Sequence, residues 1–159
     1  MENRCPQCGV SLPAGVPAWT RQLTVAAVMT PSPVTLGPEE PLMRAVELMR
    51  LRGIRRIPIV VVDTLVGLLA EGDLKRAQPS TLSDSQEEFN RIMEETPVSK
   101  IMIDKPITVE EDTPLVEAAR TLHDTKFGAL PVVRRGRLVG IVTETDLLRC
   151  LVELLAQGG

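Results

Sequence analysis

The residues of this chain with the clearest capacity for chemistry lie near its C-terminus, in Gly140-Ile141-Val142-Thr143-Glu144-Thr145-Asp146. A strand-like run, Leu138 to Val142, leads into the stretch, and a helix-like run, Leu147 to Leu155, leads out of it. A strand that turns directly into a helix presents unpaired backbone N–H groups and the positive end of the helix dipole. That end seats anions, phosphate in particular. Thr143 adds a hydroxyl three residues before the carboxylate of Asp146, which can accept hydrogen bonds from two vicinal ribose hydroxyls. An Asp at such a turn also serves to cap the helix, and the two roles can coexist.

Other reactive residues are sparse. Cys5-Pro6-Gln7-Cys8-Gly9 looks like one knuckle of a zinc ribbon, yet a closed structural zinc site needs four ligands. Cys150 falls in a helical pattern with Leu147, Leu151 and Leu154, which makes it a core residue. Either two chains share a zinc ion through Cys5 and Cys8, or the knuckle is a remnant; the missing second pair favours the remnant. His123, the single histidine, ends an apolar helical face and has no Ser or Cys nucleophile evidently paired with it. Nothing in this inventory supports an enzyme.

Composition narrows the classes further. Of 159 residues, 43% are hydrophobic but only 2% aromatic, so the core is aliphatic, with methionines as filler. A net charge of −3, with no Tyr and one Trp, argues against nucleic acid as a partner. The longest apolar run, Ile57 to Val62, is far short of the ~20 residues a membrane helix needs. The N-terminus lacks the basic-then-apolar pattern of a signal peptide, and three cysteines do not make a disulfide framework. A cytoplasmic location is the expectation.

The elements that position Thr143 and Asp146 occur twice. Leu42, Ala45, Val46 and Met49 recur at helical spacing behind Pro41, which suits a first helical position; Gly53 ends that helix. Ile57 to Val62 and Leu65 to Leu69 read as two strands around a turn, Val34 to Leu36 as a brief strand, and Gly72 to Ala77 as a short helix. A shift of 73 residues lays Val25, Met29, Pro33, Thr35, Pro41, Ala45, Pro58, Gly67 and Asp73 on Val98, Met102, Pro106, Thr108, Pro114, Ala118, Pro131, Gly140 and Asp146. No gap is needed between 25–76 and 98–149. The fold class is therefore α/β (α+β), with two βαββα repeats, each too small to bury its own sheet face, packed pseudo-symmetrically. The organisation is an irregular segment 1–24, a repeat 25–77, a linker 78–97 and a repeat 98–155. The linker is acidic, but Phe89, Ile92 and Met93 give it an apolar face, which predicts a connecting helix.

Each repeat carries Met-x-x-x-Pro-Val/Ile-Thr, then a helix, then Ile/Leu-Pro-Ile/Val-Val, then Leu-Val-Gly-h-h-x-Glu-x-Asp-Leu, where h is apolar. This pattern resembles tandem cystathionine β-synthase (CBS) domains, the pair known as a Bateman module, over about residues 25–155. The resemblance implies a regulatory fold with two clefts between the repeats, where many members bind AMP, ADP, ATP or S-adenosylmethionine. Carried over residue by residue, the first cleft combines Thr143 and Asp146 with Val34, Thr35, Ile54, Arg55, Arg56 and Pro58. The second combines Ala70 and Asp73 with Ile107, Thr108, Phe127, Gly128 and Ala129.

The two clefts differ. Ala70 lacks the hydroxyl of Thr143, and Gly128 and Ala129 stand where the first cleft has Arg55 and Arg56. A guanidinium makes paired, charge-assisted hydrogen bonds to phosphate, so the first cleft is the competent one, with one of the two arginines reaching the ligand. The expected function is a non-catalytic sensor that signals to an unknown protein partner. Self-association as a homodimer through the helices around 42–49 and 115–122 is also expected. A ligand-free oligomerisation module and a zinc-linked adaptor through Cys5 and Cys8 are the alternatives.

Overall fold

The computed structural model describes residues 22–79 and 85–157. Its elements run β1 (Thr30–Pro31), α1 (Leu42–Arg52), β2 (Arg56–Val61), β3 (Thr64–Ala70), α2 (Glu71–Ala77) and α3 (Gln86–Glu95). They continue with β4 (Ile103–Asp104), β5 (Val109–Glu110), α4 (Leu115–Thr125), β6 (Ala129–Arg134), β7 (Arg137–Thr143) and α5 (Glu144–Gln157). The 73-residue shift carries β1, α1, β2 and β3 onto β4, α4, β6 and β7 without a residue of error at either end. Even the irregularity in the hairpin recurs, between Ile59 and Val60 in one repeat and between Val132 and Val133 in the other.

The two hairpins join into a seven-stranded sheet of order β2-β3-β7-β6-β5. They meet at Thr64 opposite Arg137, positions that the repeat shift interchanges. The remaining two strands cross over. β1 pairs with β7, setting Thr30 against Ile141, and β4 pairs with β3, setting Ile103 against Leu68. The sequence reading contains neither strand, because a two-residue strand shows no periodicity and its partner lies in the other repeat. The strand expected at Val34 to Leu36 is reduced to one bridge between Leu36 and Ile59.

This exchange extends through the segment leading into each repeat. Val25 N–H donates to Thr113 O at 2.9 Å, and Leu115 N–H to Leu23 O at 2.8 Å. Their counterparts are Val98 to Glu40 O at 2.8 Å and Leu42 to Thr96 O at 2.9 Å. Side chains follow the backbone. Val98 is buried in the first repeat's core with Leu42, Ile57 and Leu69, and Met102 packs against that core. Val25 is buried with Leu122, Leu130 and Val142 in the second core, where Met29 packs. The glycines of β3 and β7 permit that packing: a Cβ at Gly140 would lie 2.6 Å from Met29 Sδ and 3.0 Å from Thr30 O.

Two sequence expectations change in detail. Pro41 is the extended residue preceding α1, not its first turn, and Leu42 N–H is satisfied by Thr96. Gly53 does end α1 in the left-handed conformation at φ 62°, a geometry that glycine adopts without steric cost. The acidic linker forms α3, capped by Ser85, whose side chain accepts from Glu88 N–H. Met93 of α3 is fully buried in the first repeat's core. On the two helices expected to form a dimer face, Leu42, Ala45, Met49, Ala118 and Leu122 are buried, whereas Val116 is 55% exposed. Among the described residues, no helix is long and apolar enough to cross a membrane.

Candidate functional site

A cleft of about 660 Å³ opens between the repeats at the sheet edge where β7 becomes α5. Thr143, the last residue of β7, and Asp146 in the first turn of α5 hold each other. Asp146 Oδ2 accepts from both the backbone N–H and the hydroxyl of Thr143, each at 2.8 Å, and Asp146 N–H donates to Thr143 Oγ1 at 3.2 Å. This reciprocal pair is a capping box, with Asp in the place usually taken by Glu or Gln. Asp146 is only 5% exposed, and it is the one buried charged side chain among the described residues. Its second oxygen, Oδ1, faces Arg149 Nη1 at 3.4 Å. The cap and the cleft are therefore one structure: the same turn that starts α5 aims a carboxylate oxygen into the opening.

The opposite wall comes from the first repeat. Val34, Ile54, Arg55 and Arg56 line the cleft together with Thr30, Ser32 and Pro33. Arg56 reaches across the repeats: its Nε and Nη2 both donate to Phe127 O at 3.3 Å, and Nη1 donates to Arg55 O at 3.0 Å. The guanidinium lies over Gly128, where a Cβ would come within 2.9 Å of Nη2. Gly128 also sits at φ 72°, so a side chain there would be strained as well as crowded. Arg55 is 82% exposed, with Nε 4.0 Å from a Glu71 carboxylate oxygen. Both arginines thus line the cleft, one tied to a carbonyl and the other on a loose, solvated ion pair. With Arg149 they set three guanidinium groups against the carboxylates of Glu144 and Asp146.

Several residues lie elsewhere than the sequence placed them. Thr35 and Pro58 do not line the cleft; Pro58 is fully buried in β2. Gly128, assigned to the second cleft, lines the first, because Arg56 lies over it. Ala129 is buried with Leu68 and Ile141 at the join between the repeats. Asp73 pairs with Arg76, and Ala70 before it supplies no side-chain cap. Ile107, Thr108 and Phe127 remain exposed. Arg134 pairs with Glu111 and holds that carboxyl below its usual range.

Arg149 is the residue that the sequence reading missed. A signal existed: Arg76 and Arg149 are also 73 residues apart, each three positions after its aspartate. Cys5 and Cys8 lie outside the described residues. Within those residues, no group of three or more His, Cys, Asp or Glu is placed to hold a metal ion.

An exchanged pair of α/β repeats, with a cationic cleft at a strand-to-helix turn, defines a tandem ligand-binding module. The CBS domain family profile matches twice, over residues 25–80 and 98–153. The chain belongs to the CBS domain family. It is similar to a CBS domain-containing protein of Dictyostelium discoideum, 34% identical over 137 residues, covering 84% of this chain and 94% of that one. Among solved structures it resembles CBSX2 of Arabidopsis thaliana in complex with AMP: TM-score 0.69, 30% identity, 82% of this chain and 97% of the other. It also resembles the CBS domain pair of protein MJ0100 in complex with 5-methylthioadenosine and S-adenosyl-L-methionine. That match has a TM-score of 0.67 and 26% identity, over 81% and 99% of the two chains.

Proposed function

We propose that this protein is a non-catalytic regulatory module that binds an adenosine nucleotide in the Thr143/Asp146 cleft. The observation that carries this reading is the division of the cleft between repeats. The helix start and Asp146 belong to one repeat, and Arg55 and Arg56 to the other. A ligand with a ribose at Asp146 and a phosphate near the arginines touches both, so it favours whichever relative arrangement of the repeats fits it best. Differential affinity of that kind is the physical requirement for a switch. AMP bound by CBSX2 and S-adenosyl-L-methionine bound by the MJ0100 pair support an adenosine compound as the ligand class. The second cleft, around Asp73, Ile107, Thr108 and Phe127, is assigned the weaker binding.

Thermal unfolding with AMP, ADP, ATP and S-adenosylmethionine, each with and without Mg²⁺, tests this reading. Ligand at a hundredfold excess over Kd should stabilise the protein by about 2.7 kcal/mol. No shift with any of these compounds at millimolar concentration would leave the ligand-free oligomerisation module as the better description.

The same proposal includes self-association. Leu148, Leu151, Val152 and Leu155 form a stripe at i, i+3, i+4 and i+7 on α5 and are 48–66% exposed. A row of this kind on a helix surface is a contact face. Light scattering should give twice the monomer mass, and Leu151→Glu together with Leu155→Glu should return it to the monomer value. A wild-type monomer at high concentration would remove the dimer.

A further inference from the structure

We propose that Arg149 makes ribose recognition depend on phosphate, so that the cleft selects nucleotides over nucleosides. The inference rests on the adenosine-nucleotide reading above and concerns how that site discriminates. Asp146 has two carboxylate oxygens. Oδ2 is committed to the Thr143 N–H and hydroxyl at 2.8 Å each, and those bonds start α5. Only Oδ1 is left for a ribose, and Arg149 Nη1 stands against it at 3.4 Å. A nucleoside whose two vicinal ribose hydroxyls both bond to Oδ1 fills its two lone pairs, displaces that cation from a nearly buried carboxylate and offers it nothing in return.

A nucleotide changes the exchange. The side chain of Arg149 is 64% exposed and leaves the second turn of α5 beside the cleft it lines, so it is free to swing. Phosphate held near Arg55 and Arg56 in the cleft that Arg149 also lines would give its guanidinium an acceptor-rich partner. Arg149 then leaves Oδ1 for the phosphate as the ribose arrives. The other repeat supplies an internal comparison. Asp73 and Arg76 keep the same three-residue spacing, but Ala70 places no capping demand on that carboxylate. Removing an arginine should therefore alter ligand preference at the Thr143 cleft, where one oxygen carries the ribose, and much less at the Asp73 cleft.

Calorimetric titration of the full chain with adenosine and with AMP tests the proposal, using wild type, Arg149→Ala and Arg149→Lys. Loss of a charge-assisted contact predicts that Arg149→Ala weakens AMP by about tenfold or more. The same change should leave adenosine unchanged or tighten it, so the AMP-to-adenosine preference collapses. Arg149→Lys should recover part of the preference, since it keeps the charge but loses the planar fork. Circular dichroism verifies that the variants remain folded. If wild type binds AMP and the preference survives Arg149→Ala within threefold, Arg149 is only a surface ion pair and the proposal is overturned. If wild type binds neither compound, the nucleotide reading itself fails and this inference falls with it.

Discussion

Asp146→Ala is expected to cost this protein both ligand and stability, through different oxygens of one carboxylate. Loss of Oδ1 removes the acceptor for ribose hydroxyls; a hydrogen bond to a charged group contributes about 1.5–3 kcal/mol, which corresponds to roughly tenfold or more in AMP affinity. Loss of Oδ2 leaves the Thr143 N–H and hydroxyl without their partner at the start of α5. Removing a side-chain cap typically destabilises by about 0.5–2 kcal/mol. Asp146→Asn separates the two effects. Its amide oxygen can still accept from Thr143, so urea denaturation should show most of the stability retained while calorimetry shows weakened AMP binding. An Asp146→Ala protein that binds AMP as tightly as wild type would refute the assignment of this cleft.

The second large effect belongs to the linker. Met93 is the fully buried residue of α3, and it lies in the same cluster as Leu42, Ala45, Ile57 and Leu69. Replacing it with Ala removes buried volume from a packed aliphatic core, a change that typically costs about 2–5 kcal/mol. Urea denaturation of Met93→Ala should show a loss in that range. The transition should remain single, because Val98 and Met102, just beyond α3, also pack in the first repeat's core. A change below about 0.5 kcal/mol would show that α3 only spans the gap between the repeats.

Much of this was legible in the sequence, for identifiable reasons. A duplication without gaps sets each element of one repeat against its copy in the other, and Phe89, Ile92 and Met93 revealed α3 because an apolar face on an acidic segment has one cheap solution. Thr143 and Asp146 were legible because a strand-turn-helix is local. What stayed hidden depends on partners distant in sequence. β1 and β4 exist only by pairing in the other repeat, and no local pattern reports that. Gly128 and Ala129 were assigned to the second cleft by symmetry, but symmetry fails where side chains differ. Arg56 is long enough to cover Gly128, and Ala129 is small enough to be enclosed at the join. Nor could spacing alone reveal that the Arg56 guanidinium is bonded to the carbonyl of Phe127.

The crossed lead-in segments also restrict how such a module can move. Each repeat grips the segment that enters its neighbour, through three backbone hydrogen bonds and a buried valine on either side. Pulling the repeats apart would load both grips together and expose both cores, so they act as crossed braces against separation. Torsion about the Thr64–Arg137 join meets less resistance, because that pairing sits on the pseudo-twofold axis where displacement is smallest.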